Sequence, residues 1–398
     1  MRDVIVAGVG MTPFGKFPDL TLRQLATQAT RSALEDAGLP AERVEYVFFG
    51  NAMQGLLTGQ EMIRGQVALA DCGLLGVPLV NVENACASGS SAIHLGWLAV
   101  ASGQADVVIA VGAEKLTHPD KKLVFRAMET AVDLDALDEL AGSLYGEGGP
   151  PPGERSFFMD VYADSARRYM QRCNATAEDF ARVAVKNHHH GALNERAQYR
   201  DEVTVEQVLR SRAISGPLHL LMCAPIGDGG AAVVLCSPQA AGELDVPRIR
   251  ISASALVSGR HGDTSETAVE RAARTAYEQA GVGPEDLDVV ELHDAAAPAE
   301  LWLYEELGLC APGGGAAFLA SGASGLGGRV PVNTSGGLLS KGHPVGATGC
   351  AQVVELTEQL RGRSGRRQVT GARVAVAENN GGYLGPEPAA ACVTVLTR

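Results

Sequence analysis

The chain opens on MRDVIVAGVGMTPFG, where small and β-branched apolar residues run into a Gly/Pro turn, the pattern of a buried first strand. From Ala33, ALEDAGLPAERVEYVFFG reads as the end of an amphipathic helix stopped by glycine, a short helical turn opened by Pro and Glu, and a β run. The same succession returns from Ala276 as AYEQAGVGPEDLDVVELH, matching at A-x-E-x-A-G, then at a Glu, then at apolar positions. A second correspondence follows. The small-residue turn around Cys86 leads into a helix pattern and the strand ADVVIAVGAE, while GHPVGATG leads into CAQVVELTEQLRG and the strand ARVAVAENN. Two copies of one α/β unit are therefore predicted. From Thr117 to about Arg212 the pattern breaks, with the Gly/Pro-rich GEGGPPPGERS followed by helical stretches, which reads as an insertion covering one face. The expected division is 1–245 for the first half, carrying this insertion at about 117–212, and 246–398 for the second.

Composition narrows the function classes. The 398 residues are 46% hydrophobic and 20% charged, with no apolar run long enough to span a bilayer and no export-signal pattern at the start, so a cytoplasmic protein is expected. Eight cysteines without paired C-x-x-C spacing suit neither a disulfide framework nor a structural zinc site, and no metal is expected. The net charge of -13 and the lack of long Lys/Arg clusters argue against nucleic-acid binding. The densest basic stretch, RGRSGRRQ, reads as a solvated turn between helix and strand. In NHHH (Asn187 to His190), neighbouring histidines on a helix diverge by about 100° and cannot all face one ion.

Cys86 stands among Ala85, Ala87, Ser88 and Gly89 at the start of a helix pattern. A helix N-terminus offers unpaired N–H groups and partial positive charge, which favour a thiolate and can hold a developing oxyanion. Small neighbours permit a tight strand-to-helix turn, as at nucleophile elbows. Local pattern alone leaves two readings, a reactive thiol and a buried structural one, the latter being the commoner fate of cysteine. Two histidines stand in comparable places. His343 lies in the glycine-rich loop that is the repeat's equivalent of the Cys86 turn, so duplication would bring the two turns together across a pseudo-twofold axis; His293 ends the strand of the repeated unit. The three together favour catalysis.

NACASGSSA, VGAEKLT, KNHHHGALNERAQYR, VELHDAAAPAEL, NTSGGLLSKGHPVGATG and NNGGYLG follow one another in an order that resembles the thiolase superfamily, in the branch of the sterol carrier protein thiolase domain and its lipid-transfer-like relatives. The resemblance implies two α/β halves, each with a five-stranded sheet around buried helices, usually as a homodimer, with a loop domain over an acyl-CoA site. It implies no bound cofactor and coenzyme A as co-substrate. Cys86 is then acylated by a thioester and His343 takes its proton; His343 and a water held by His293 stabilise the enolate oxygen, and the N–H groups of Cys86 and Gly381 hold the tetrahedral oxyanion. Met159 is a candidate for the acyl pocket, and His219 and Asp228 for the neighbourhood of the site, Asp228 fixing a turn with Gly229 and Gly230; Glu83 and Asn84 flank the nucleophile.

The pattern departs from the family at the acid/base that moves the α-carbon proton, generally a second cysteine. Its two usual positions hold Asn379 and Ala295, and Cys350 and Cys310 read as packing. The expectation is a β-ketoacyl-CoA thiolase working through acyl-Cys86, with proton transfer by His343, His293, a water or a substrate carboxylate. Alternatives are a decarboxylating ketoacyl synthase, which needs no second thiol, and a non-catalytic acyl-CoA-binding subunit; a retro-aldolase is weaker, since Tyr383 is the one tyrosine near a motif. Relatives in this branch also imply a small OB-fold and zinc-ribbon partner at the CoA entrance. Within the insertion, Arg155, Arg167, Arg168, Arg172 and Lys186 are candidates for the CoA phosphates.

Overall fold

The structure, a computed structural model, describes residues 1–146, 156–260, 265–385 and 387–398. Arg155 and most of the Gly/Pro-rich stretch lie outside the described residues. The strands are β1 (Val4–Met11), β2 (Tyr46–Gly50), β3 (Leu79–Val82), β4 (Val107–Lys115), a small hairpin of β5 (Ala213–Ser215) and β6 (Leu218–His219), then β7 (Asp228–Cys236), β8 (Ile249–Ser258), β9 (Val289–Glu291), β10 (Val374–Gly381) and β11 (Ala390–Thr397).

Among the described residues, nine strands form one sheet in the order β3-β2-β4-β7-β1-β8-β11-β10-β9. In its first part, β2 is parallel to β3 and to β4, and β7 runs antiparallel to both β4 and β1. The second part repeats this: β9 is parallel to β10, and β11 runs antiparallel to both β10 and β8. The expected fifth strand of the second part, the counterpart of β3, is reduced to one parallel bridge between Val290 and Val332. The parts meet through the short antiparallel pairing of β1 with β8, where Val4 faces Ile251 and Val6 faces Ile249.

The duplicated helix–turn–strand unit is matched element by element. Helix Leu22–Ala37 starts in a Thr21/Gln24 capping box and ends at Gly38 in the left-handed region (φ 64), before the 3-10 turn Ala41–Arg43 and β2. Helix Ala268–Ala280 starts in a Thr267/Glu270 box and ends at Gly281 (φ 68), before the turn Pro284–Asp286 and β9. Thr and a carboxamide or carboxylate three residues on satisfy the orphan N–H groups; glycine takes the positive φ that ends the helix.

These two helices cover the outer faces of the sheet. Two others, Ser88–Ala101 and Thr348–Arg361, share the central core with Val4, Val108, Val233, Ala375 and Leu396. A burial of this kind on every side explains why Thr348–Arg361 has little amphipathic character and also buries Gln352, Thr357 and Gln359. The insertion adds the helices Lys121–Glu129, Leu137–Tyr145, Phe157–Cys173, Ala177–Ala192 and Val205–Arg210. Among the described residues no helix is long and apolar enough to cross a membrane.

RGRSGRRQ is not simply a solvated turn. Arg361 is buried, bonding Asp36 at 2.6 Å and the carbonyls of Val6 and Ala7, and Arg367 pairs with buried Glu355 at 2.9 Å. The histidines of NHHH diverge as the helix requires: His188 Nδ1 meets Asp201 O, His189 Nδ1 meets Glu202, and His190 Nδ1 meets Asn333 O.

Candidate active site

Cys86 sits in the 3-10 turn Ala85–Ala87, which runs directly into helix Ser88–Ala101. Ala85 takes φ 48, a left-handed conformation that costs a non-glycine residue energy and is held here by a dense set of local bonds. Ala85 N–H donates to Glu83 Oε1 at 2.6 Å, Asn84 N–H donates to Ser88 Oγ at 2.9 Å, Asn84 Nδ2 donates to Ser91 Oγ at 2.8 Å, and Ser88 Oγ donates to Ala85 O at 2.7 Å. The serines are thus the staples of the Cys86 turn. Gly381, at the end of β10, packs so closely that a side chain there would meet Asn84 O at 2.4 Å and Cys86 N at 2.7 Å.

His343 arrives on the glycine-rich loop before helix Thr348–Arg361, in the second copy's place for the same turn. Its Nδ1 lies 2.7 Å from Thr348 Oγ1, whose own proton goes to Pro344 O. The hydroxyl therefore accepts from Nδ1–H, which leaves a lone pair on Nε2. Glu114, fully buried at the end of β4, anchors this loop by accepting from Gly346 N–H at 3.0 Å, as well as from Ala52 N–H, Met53 N–H and Asn51 Nδ2. Burial pushes its carboxyl up to about 7, against the pull of those N–H donors.

His293 follows β9, with its backbone N–H on Glu378 Oε2 at 2.9 Å. The residue is only 2% exposed, yet among the described residues neither ring nitrogen has a partner. The next residue, Asp294, accepts from Leu338 N–H at 2.7 Å and so ties the His293 strand end to the segment leading to His343.

One reactive atom each from Cys86, His293 and His343 lies within 4.8 Å of the other two. The two imidazoles meet edge to face, 5.1 Å between centroids. Loss of solvation dominates the electrostatics: it pushes the Cys86 thiol up to about 12, helped by the charges of Glu114 and Glu83 and only partly offset by the Gly382 N–H. The helix start therefore does not produce a resting thiolate, as the pattern suggested, because burial outweighs a partial charge. The same burial lowers His293 to about 3 and holds His343 well below the usual imidazole range. At rest the site is a neutral thiol beside two neutral imidazoles, one with a free Nε2 lone pair.

All three line one cavity of about 370 Å³. Its walls are largely apolar, with Phe125, Met128, Phe158, Met159, Leu220 and Leu221, and solvent-exposed Lys16, Lys121 and Arg212 contribute to it. Met159 and Ala295 are on the wall. His219 is not, its Nδ1 being bonded to Ser211 O at 2.9 Å, although Arg212 and Leu220 beside it are. Asn379 is buried and turned to Ser90 Oγ at 3.0 Å, while Asn380 faces the cavity. Asp228 accepts from the N–H groups of Phe17, Leu116 and Thr117 and from Lys115 Nζ at 2.7 Å, fixing three segments at once. Cys350 is fully buried against Gly89 O, and Cys310 packs on the outer core of the second half. Of the candidates for the CoA phosphates, Arg167 and Arg168 pair with Asp164, Arg172 lies over the Tyr169 ring and Lys186 is buried against Glu300, and none of the four lines the cavity.

Residues 4–239 match the family description "Thiolase, N-terminal domain" and residues 252–398 match "Thiolase C-terminal domain-like". The chain belongs to the thiolase family. It is 40% identical to the acetyl-CoA acetyltransferase of Methanothermobacter thermautotrophicus over 97% of this chain and 98% of that protein. It is 37% identical to the benzoylsuccinyl-CoA thiolase subunit BbsB of Thauera aromatica, with 96% and 95% covered, and 35% identical to human sterol carrier protein 2, with 96% and 70% covered. Among solved structures, an Ltp2-ChsH2(DUF35) aldolase matches with a TM-score of 0.81 at 28% identity, covering 98% of this chain and 97% of that one. Human mitochondrial 3-ketoacyl-CoA thiolase shares the fold, with a TM-score of 0.69 at 19% identity over 100% and 98% of the chains. As a thiolase-family acyltransferase, the chain has residues that motif reading left without roles: Glu114 and Asp294 as loop anchors, Thr348 as the orienter of His343, and Tyr162 in the cavity wall. A buried Glu at a strand end is the signal that would have pointed to Glu114.

Proposed function

We propose that this chain is a CoA-dependent thiolase that cleaves or forms the C–C bond of a β-ketoacyl-CoA through an acyl-Cys86 intermediate. The observation that carries the reading is the meeting of Cys86, His293 and His343 within 4.8 Å on the wall of one apolar cavity. His343 Nε2 takes the thiol proton as Sγ adds to the carbonyl, so a neutral pair becomes an ion pair only as the bond forms. The N–H groups of Cys86 and Gly381 receive the oxyanion of the tetrahedral intermediate. His293, with both nitrogens unpartnered, holds a water that together with His343 stabilises the enolate oxygen. Coenzyme A is the co-substrate, its acyl and pantetheine parts against the apolar wall and its phosphates near Lys16, Lys121 and Arg212. The exposed apolar residues Met62, Ile63, Leu75 and Val80, the last on edge strand β3, support a homodimer. A small OB-fold and zinc-ribbon partner belongs to the same reading, supported by the subunit status of one relative and by the DUF35 pairing of the similar aldolase.

The site without a thiol at residues 295 and 379 also fits decarboxylative condensation, and one experiment separates the two. The protein is mixed with acyl-CoA, β-ketoacyl-CoA and malonyl-CoA thioesters and followed by peptide mass spectrometry beside Cys86→Ala. The expected result is an acyl mass on the Cys86 peptide from β-ketoacyl-CoA, absent from the variant and removed by free CoA. Acylation from simple acyl-CoA followed by turnover with malonyl-CoA alone favours the condensing enzyme. No adduct from any thioester, with or without a candidate partner, overturns both.

A further inference from the structure

Thiolytic cleavage leaves the electron pair of the broken C–C bond on the α-carbon, which must then gain a proton. In the reading above, on which this inference rests, Cys86 and His343 are occupied with the acyl group and the thiol proton, and His293 with the enolate oxygen. Cys223 lines the cavity, but its Sγ turns to His219 O at 3.4 Å. Ala295 presents only a methyl group, and Asn379 faces away.

Tyr162, on helix Phe157–Cys173 of the insertion, lines the same cavity as the three reactive residues. It packs in a small apolar cluster with Ala296, one residue beyond the Ala295 methyl. Its ring is held by stacking on Trp302, 6.4 Å between centroids and 13° between planes, and Trp302 belongs to helix Ala297–Glu306, which begins at that same turn. Among the described residues its hydroxyl has no hydrogen-bond partner, so a polar group that is firmly positioned remains available to a ligand. We propose that the Tyr162 hydroxyl is the proton donor to the substrate α-carbon.

The protons balance around the cycle. Cys86 gives its proton to His343 and adds to C3; the C2–C3 bond breaks with its pair on C2; Tyr162 O–H protonates C2 and becomes phenolate. The phenolate regains a proton from the His343 imidazolium through water; His343 then takes the thiol proton of incoming CoA, the CoA thiolate displaces Cys86 from the acyl group, and His343 returns the proton to Cys86. Burial above all holds the phenol well above its usual range, so it stays protonated until the carbanion forms.

The test compares two ways of acylating Cys86 in Tyr162→Phe. Transfer from a simple acyl-CoA makes and breaks only thioesters; transfer from a β-ketoacyl-CoA requires C–C cleavage. The expected result is acyl-CoA labelling within about threefold of wild type, with β-ketoacyl-CoA labelling and steady-state thiolysis lowered ~10²- to 10⁴-fold. Retention of both reactions within a few-fold overturns the proposal, and so does parallel loss of both, which would assign the ring a structural role. Wild-type protein labelled by no thioester overturns the thiolase reading and the proposal with it; wild type labelled normally beside an unaffected variant overturns the proposal alone.

Discussion

In the proposed reaction Cys86 is a nucleophile stored as a thiol. Its turn offers N–H groups, including that of Gly382, but the desolvation of the sulfur of half-buried Cys86 and the nearby Glu114 and Glu83 carboxylates oppose the anion more strongly. Under the proposed mechanism this guards the thiol against electrophiles while leaving it reactive toward a substrate that brings a carbonyl to the oxyanion donors and lets His343 take the proton. Alkylation of Cys86 by iodoacetamide should therefore climb by about tenfold per pH unit from pH 7 to pH 10 without levelling off, since a thiol at about 12 is far from titrated there. Peptide mass spectrometry of the Cys86 peptide reads the rate, and a plateau near neutral pH, the mark of a resting thiolate–imidazolium pair, would contradict it.

At the scale of elements, the site exists because two helices meet at their first turns. A side chain on Gly89 would lie 2.7 Å from Gly346 O, and one on Gly349 would lie 2.3 Å from Ser90 N. These reciprocal contacts are the pseudo-twofold made physical: each copy's glycine admits the backbone of the other, and the closeness of the turns sets the distance between Cys86 and His343. Backbone atoms cannot swing aside as a long side chain can. Gly349→Ala should cost about 1–3 kcal/mol in urea unfolding and slow acylation of Cys86, because the helices can accommodate the methyl only by separating. Unchanged stability and unchanged acylation would mean that the crossing does not set the site.

Over the whole molecule, the fold buries acids against the backbone of the two histidine-bearing segments, Glu378 at His293 and Glu114 at Gly346. Glu378, fully buried on β10, accepts from His293 N–H and from Asn380 Nδ2 at 2.8 Å, and burial raises its carboxyl to about 7. A carboxyl raised in the folded state binds its proton more tightly there than in the unfolded chain. Its contribution is thus complete below the unfolded value of 4.5 and is lost as pH rises through about 7. The difference is on the order of 3 kcal/mol for this group, and Glu114, also raised to about 7, adds to the same slope. Glu378→Gln keeps an oxygen for the His293 N–H but removes the titration. Its unfolding free energy should fall less than that of the wild type between pH 5 and pH 8, as read from denaturation midpoints at both values; an identical decline would rule out Glu378 as the titrating group.

What the sequence determined by itself was everything written in short-range chemistry. Capping residues, glycine stops and apolar periodicity exposed the duplicated α/β unit, and the small-residue turn around Cys86, the glycine loop of His343 and the strand end of His293 were legible because each is a local backbone requirement. Tertiary structure alone decided what depends on which distant segments touch. It placed Tyr162 of the insertion in the cavity with Cys86, and Lys16, Lys121 and Arg212 there in place of Arg167, Arg168, Arg172 and Lys186. It joined Glu114 to the His343 loop across the halves and shrank the fifth strand of the second half to the Val332 bridge. It also turned Asn380 rather than Asn379 toward the cavity, a matter of strand register, in which neighbouring side chains take opposite faces. The thiol's protonation belongs to the same class, since the helix start is local and favours the anion, whereas the burial that reverses it is created only when the two halves close around the sulfur.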